Sequence, residues 1–329
     1  KSFIDKKISI LARGLKQDVF LETAVSEDNK VLIDKQYVGK LKGLKFIIDF
    51  SSNNLDVDLK SIKKAARKGV EEELIKRADR IMDTGKLSLN QENKIVWLDD
   101  PIAKIKKGEN YLNPEIEIIA DEALPLDIQK KLEQFTKNWL SSYINETLGD
   151  LINLTKIKIE NQYLRALSFQ LYENNGVLKR ENVDKIVKLI SKEERKKLWN
   201  MGIKVGRYHV FLPKMLKPKA VTIRTMLWKI YNNISSNIDN PKFGLNFVTN
   251  ENFDEKFLLL CGFEKFKNYF VRVDILEKLF INIIEKSINR RFKISSEMMN
   301  LLGCTKENFL ELIDLMNYKK SREIDTYYF

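Results

Sequence analysis

The sequence predicts an α+β fold, predominantly helical, with two tandem βββα units, a helical middle and a C-terminal winged-helix-like module. Three observations carry that reading. The first half repeats itself without a gap at an offset of sixty-four residues, short strand-like segments leading into a helix each time. Residues 151–200 place apolar side chains at three- and four-residue intervals throughout. The last third holds a hairpin, a helix, and two short helices meeting at Gly303. These blocks set domain boundaries at 1–150, 151–240 and 241–329, in keeping with two or three domains for a chain of 329 residues with 43% apolar content.

The repeat aligns Asn29-Lys30-Val31-Leu32-Ile33 with Asn93-Lys94-Ile95-Val96-Trp97, and Val38-Gly39-Lys40-Leu41-Lys42 with Ile102-Ala103-Lys104-Ile105-Lys106. Each copy reads as two β-branched strands around a polar turn, then a third strand, Leu44–Asp49 or Glu115–Ala120, then a helix. The first helix, Leu59 to Met82, carries Leu59, Ile62, Ala66, Val70, Leu74, Ala78 and Ile81 on one stripe and ends at Gly85. Lys60, Lys63, Lys64, Arg67 and Lys68 crowd its N-terminal half, where the helix dipole disfavours cations, so a nearby anion or a solvated face is expected there. The second helix, Leu126 to Leu148, turns Ile128, Leu132, Phe135, Trp139, Tyr143 and Ile144 to its sheet. Between them, the apolar run ending in Asp121-Glu122 imitates the magnesium-holding strand of a nucleotide-driven motor, but no G-x-x-x-x-G-K-[ST] loop accompanies it. Those acids are expected to cap the strand-to-helix junction.

In the middle block, Tyr163, Leu164, Leu167 and Leu171 mark one helix, Val183, Ile186, Val187 and Ile190 a second, and Ser191-Lys192-Glu193-Glu194 opens a third as a capping box. After a polar gap from Asn237 to Phe253 come a helix ending at Cys261, a hairpin of Phe263–Phe266 and Phe270–Val273 turned at Lys267-Asn268, and a helix from Asp274 to about Asn289. Ser295 to Ile313 then has helix-turn-helix spacing, with Gly303 at the turn and Thr305 capping the second helix, and Tyr318–Ile324 supplies a strand for a wing. Glu307, Glu311 and Asp314 against Lys306 alone point that second helix toward protein packing rather than base reading.

Charge then points to a partner. The chain carries a net charge of +12, and the stretch from Arg195 to Ile238 holds ten Lys or Arg and no Asp or Glu in forty-four residues. Cations interleaved with aromatics, Gly and Pro suit a nucleic acid, the cations for phosphates and the planar side chains for bases. The residues expected at such a site are Lys204, Arg207, Tyr208, His209, Phe211, Lys214, Lys217, Lys219 and Arg224. The same pattern also fits a basic surface over a buried apolar lining of Phe211, Leu212, Leu216, Leu227 and Trp228. RNA or single-stranded DNA is the expected partner, with a protein partner docking on the duplicated units and the C-terminal module as the alternative.

Other chemistry finds little support. Two cysteines, Cys261 and Cys304, and one histidine do not make a four-ligand zinc site, and such sparse thiol use fits reduced core residues in a cytoplasmic protein. No nucleophilic Ser or Cys has a base at hand, and His209 has no acid near it in the sequence, so no catalytic residue is expected. No apolar run approaches a membrane span, and no secretory signal opens the chain, which begins at Lys1 in apparent mid-polypeptide.

The segments Phe3-Ile4-Asp5-Lys6-Lys7, Val38-Gly39-Lys40-Leu41, Ile95-Val96-Trp97 through Ala103, Gly202 to Trp228, Cys261 to Glu277 and Leu302-Gly303-Cys304-Thr305 together resemble the C-terminal region of alphaproteobacterial superfamily II DNA/RNA helicases. Those are relatives of the mitochondrial degradosome RNA helicase. The resemblance covers essentially the whole chain and is most specific at Gly206-Arg207-Tyr208-His209-Val210-Phe211-Leu212-Pro213, Leu216-Lys217-Pro218 and Val271 to Glu277. It implies a bacterial, cytoplasmic, ATP-dependent unwinding enzyme whose two motor domains precede Lys1 and bind ATP and magnesium. This segment, lacking the phosphate loop and arginine finger, would hold no cofactor of its own and serve as an accessory strand-holding region.

Overall fold

The computed structural model describes residues 22–49, 59–90, 92–156, 160–234, 239–249, 254–267, 269–321 and 326–328, with the side chains of 59–62 and 249 excepted. The helical spacing at Phe3, Ile4, Ile8 and Leu11, the side chains of Leu59, Lys60 and Ile62, and Asn268 of the hairpin turn lie outside the described residues. The fold is α+β, with five small antiparallel sheets and a larger helical share among the described residues. The chain divides into two compact units, 1–143 and 144–329.

In the first unit the repeat is real and larger by a strand than the sequence reading. Each copy is a four-stranded meander: β1 (Thr23–Val25), β2 (Lys30–Ile33), β3 (Gln36–Lys42) and β4 (Lys45–Ile48), then β5 (Leu87–Leu89), β6 (Lys94–Trp97), β7 (Asp100–Asn110) and β8 (Asn113–Ile118). The register repeats with the sequence: Thr23 faces Ile33 as Leu87 faces Trp97, and Lys30 faces Lys40 as Lys94 faces Lys104. Even the β-bulge recurs, between Val31 and Leu32 and between Ile95 and Val96. So do the left-handed turn residues, Asn29 with Asn93 and Asp34-Lys35 with Leu98-Asp99. The copies part at the last hairpin. Gly39 pairs with Ile48, nine residues on, whereas Ala103 pairs with Ile118, fifteen on.

Helix α1 (Leu59–Thr84) buries Ala66, Val70, Leu74, Ala78 and Ile81, the predicted stripe, and leaves Lys63, Lys64, Arg67 and Lys68 exposed. One polar residue joins that stripe. Arg77 is buried and donates to the Gly43 carbonyl at 3.0 Å and to the Asn29 side chain, with Glu73 as its ion-pair partner at 3.3 Å. The two sheets meet where Leu44 bridges Ala120 in parallel and the Gly43 N–H donates to Asp100 at 2.7 Å. Asp121 caps the turn ahead of the next helix, accepting from the Ala123 N–H at 3.1 Å, so the acids close the junction rather than the helix itself. Helix α2 (Leu126–Lys156) begins after that turn and kinks at Leu148, the residue where the sequence reading ended it.

The second unit repeats a different pattern, which the sequence did not announce. Its first module runs α3 (Gln162–Glu173), β9 (Val177–Lys179), a 3₁₀ turn (Arg180–Val183), α4 (Asp184–Leu189), α5 (Lys192–Asn200), β10 (Lys204–Val205) and β11 (His209–Phe211). Residues 151–200 are therefore not helical throughout. The second module is α6 (Pro218–Tyr231), β12 (Phe247–Thr249), α7 (Glu255–Leu260), β13 (Phe263–Phe266) and β14 (Tyr269–Arg272), so the polar gap from 237 to 253 contains a strand. The third is α8 (Val273–Glu285), β15 (Arg291–Lys293), α9 (Ser296–Leu302), α10 (Lys306–Leu315), β16 (Lys319–Lys320) and β17 (Thr326–Tyr328). In every module the last strand lies in the middle of its sheet: β10-β11-β9, β12-β14-β13 and β15-β17-β16. That order, entered by a helix and closed by a hairpin, is winged-helix-like, and the sequence reading had placed it only at the C-terminus. The boundary expected near 240 falls inside the second module.

Local signals explain the joints. The capping box forms as read, the Glu194 N–H donating to the Ser191 hydroxyl at 3.2 Å and the Ser191 N–H to the Glu194 carboxylate at 2.7 Å. Gly303 adopts φ 72° between α9 and α10, and the Thr305 hydroxyl accepts from the Asn308 N–H at 3.3 Å. The modules share cores. Val177, Phe211, Leu216 and Val273 form one cluster, and Tyr208, Phe247 and Phe266 pack onto the cluster of the third module.

Candidate nucleic-acid interface

The acid-free stretch sorts itself by burial. Of its ten cations, Arg195, Lys196, Lys197, Arg207, Lys214, Lys217 and Lys219 are exposed, Lys204 and Lys229 are half-buried, and Arg224 is fully buried. The nine residues expected at a binding site follow the same division. Phe211 is enclosed in the core shared by the modules. Arg224 on α6 is 0% exposed, and its guanidinium donates to the carbonyls of Asn175 and Met215, fastening α6 under the first module. Neither has a face left for a strand of nucleic acid.

His209 is also buried, at 1% exposure, and it corrects the sequence reading twice over. It has no surface for stacking, and it does have acids beside it. Its Nε2 lies 2.8 Å from Glu264 and its Nδ1 3.7 Å from Glu277, partners 55 and 68 residues away in sequence. The Glu277 carboxylate accepts three backbone N–H groups in succession, from Arg207 at 2.6 Å, Tyr208 at 2.8 Å and His209 at 2.8 Å. The β10–β11 turn thus wraps around a carboxylate delivered by α8. Gly206 is required by that approach, since a Cβ there would stand 2.2 Å from the Glu277 carboxyl carbon.

The electrostatics are internally balanced. Burial works to lower the His209 pKa, but the bond to Glu264 and the nearby Glu277 carboxylate more than offset it and hold the imidazole above its ordinary 6.5. Burial works to raise both carboxylates. His209 with Lys179 keeps Glu264 below its ordinary range, and His209 with the three N–H groups does the same for Glu277. Lys179, against the cost of burial, is pushed up to about 12 by Glu255 and Glu264. Lys179, His209 and Glu264 line a cavity of about 450 Å³ together with Arg180, Asp184, Arg207 and Tyr208. Lys179, Arg180, Asp184, His209 and Glu264 in it each have an opposite neighbour, and no Ser or Cys is among the lining residues. The arrangement clasps the modules together.

Tyr208 is half-buried, sharing a hydrogen bond with the Tyr318 hydroxyl at 3.2 Å and meeting Phe280 edge-on, and burial pushes its hydroxyl pKa well up. Arg207 sits 5.9 Å over the Phe280 ring with its guanidinium exposed. Lys214 and Lys219 are brought together along the end of α2, pairing with Asp150 at 3.0 Å and Glu146 at 3.1 Å. Lys217 lies at the rim of a smaller cavity, of about 150 Å³, beside Lys242 and Arg272. Lys204 is on the edge strand β10. In the third module, Glu311 of α10 accepts the Tyr269 hydroxyl, which ties that acidic helix to β14.

Both thiols are held protonated by burial, Cys261 at about 12 and Cys304 at about 11. No cluster of His, Cys, Asp or Glu suited to a metal ion occurs among the described residues, and no helix among them is long and apolar enough to cross a membrane. No protein-family model, curated protein or solved structure matches the chain.

Proposed function

We propose that this chain is a C-terminal accessory nucleic-acid-binding region of an ATP-dependent RNA or DNA helicase, working in the bacterial cytoplasm beside upstream motor domains that bind ATP and magnesium. The observation that carries the reading is the separation within the acid-free stretch. His209, Phe211 and Arg224 turn inward, while seven of its ten cations stay exposed on the second unit. Arg207, Lys214, Lys217 and Lys219, with Lys204 at a sheet edge, would hold the phosphates of a strand that the motor draws in or releases. The ion pairs of Lys214 and Lys219 are surface pairs, worth about 0–1 kcal/mol, so phosphate can compete with them.

A protein-docking platform for a nuclease or other partner is the second reading, and one observation favours it. Ile281, Ile284 and Ile288, spaced three and four apart along and just after α8, are exposed at 47, 46 and 77%. Binding of the intact chain to fluorescent single-stranded RNA and to the matching DNA, at two salt concentrations, separates the readings. Steeply salt-dependent binding that a Lys204, Arg207, Lys214 and Lys217 to Ala variant loses supports strand holding. Absence of binding by the intact chain moves the reading to docking through the isoleucine face.

A further inference from the structure

We infer that one face of α5, formed by Lys192, Arg195, Lys196 and Trp199, is a stacking site for single-stranded nucleic acid, separate from the cations already assigned. The inference rests on the reading of the chain as a nucleic-acid-binding region and locates the strand's base-contacting surface. These four residues fall at i, i+3, i+4 and i+7, which places them in one row along the helix. All four are exposed, Trp199 at 66%, an unusual position for the largest apolar side chain unless a partner covers it. Leu198 faces the core instead, and the Glu194 carboxylate is occupied by the capping box and by Asn161. Arg195 makes one long hydrogen bond, to the Val187 carbonyl at 3.4 Å, which leaves most of its guanidinium toward solvent.

The internal repetition of modules supplies the comparison. The helices that take the same place before the closing hairpin are α7 and α10. In α7, Glu255 is engaged by Lys179, and α10 carries Glu307, Glu311 and Asp314 against Lys306, with Glu311 taken by Tyr269. Among the three, α5 alone combines a row of cations with an exposed indole. Along the helix the row spans roughly 10 Å, about three nucleotides at 3.4 Å each, so cations contact successive phosphates while the indole lies against a base. The π-face of Trp199 can stack only on a base that is not already stacked in a duplex, which is why a single strand is the fitting occupant.

The test uses the intact chain and labelled single-stranded and duplex oligonucleotides, RNA and DNA, with Trp199→Ala, Trp199→Phe, a Lys192, Arg195 and Lys196 to Ala variant, and a Lys214, Lys217 and Lys219 to Ala control. Circular dichroism melts check that each variant folds. Trp199→Ala should weaken single-strand binding about 5- to 100-fold and Trp199→Phe much less. The α5 triple variant should lower the salt slope by roughly three. Intrinsic fluorescence should be quenched by the single strand in the parent and not in Trp199→Phe. If the Trp199 and α5 variants bind like the parent while the control loses binding, the strand-holding reading stands and this inference falls. A preference for duplex overturns it as well. If the intact chain binds no nucleic acid, both fall together.

Discussion

At the scale of single residues, the sharpest distinction is between cations that hold the protein together and cations that face a ligand. Arg224 and Lys217 look alike in the sequence, seven residues apart in one basic run. Replacing Arg224 by Met should cost roughly 3 kcal/mol, because it strips one buried and one partly buried carbonyl of their donor, and urea denaturation would read it. Lys217→Ala should leave the denaturation midpoint unchanged and lower the salt slope of nucleic-acid binding by about one unit. His209 predicts a pH profile. Its raised pKa contributes stability that is whole below 6.5 and lost as pH rises through the higher folded value. Glu264 and Glu277, held low, contribute stability that is whole above their ordinary 4.5 and lost on acidification through their folded values. The melting temperature of the parent should therefore be highest between about pH 4.5 and 6.5 and decline on both sides, and His209→Gln should flatten the alkaline side of that curve.

At the scale of elements, much was legible. The 64-residue repeat predicted matched strands, and the structure repeats its register, its bulge and its left-handed turns. Helix stripes, the capping box, the hairpin near 267 and the helix–Gly–helix of the third module also followed from local pattern, because each depends on neighbours within four residues or so. What escaped were strands of two or three residues, such as β1, β9 and β10, too short to show alternation. Also hidden was everything set by distant partners. Glu277 reads as an ordinary helical acid, and only the fold brings it to the N–H groups of residues 207–209. The spacing of Lys192, Arg195, Lys196 and Trp199 in one row was legible, but the exposure of the tryptophan was not, because burial is set by the fold. The β10–β11 turn can be tested at Gly206. Gly206→Ala should cost roughly 1–3 kcal/mol by forcing Glu277 away from its three donors, and Glu277→Ala in the same background should recover part of the loss.

At the scale of the whole chain, two kinds of repetition fill the two units: a sheet-and-helix pair in residues 1–143, and three winged-helix-like modules in 144–329. The second kind left no trace in residue identity because its modules share topology and not sequence. Their common cores should make them one cooperative body. In hydrogen exchange, Glu277→Gln should lower protection in β10, β11 and α8 together while leaving the amides of β6, β7 and β8 unchanged. Loss confined to the β10–β11 turn would contradict that coupling.

The grip of Glu277 on the turn before β11 also sets an order of events during synthesis. The turn leaves the ribosome sixty-eight residues ahead of the carboxylate that completes it. At about 5–20 residues per second the nascent chain waits roughly 3–14 s with three amide groups unanswered. The first winged module is thus a vacancy at birth, closed by a helix not yet made, and its basic surface takes final form only as the last third of the protein emerges.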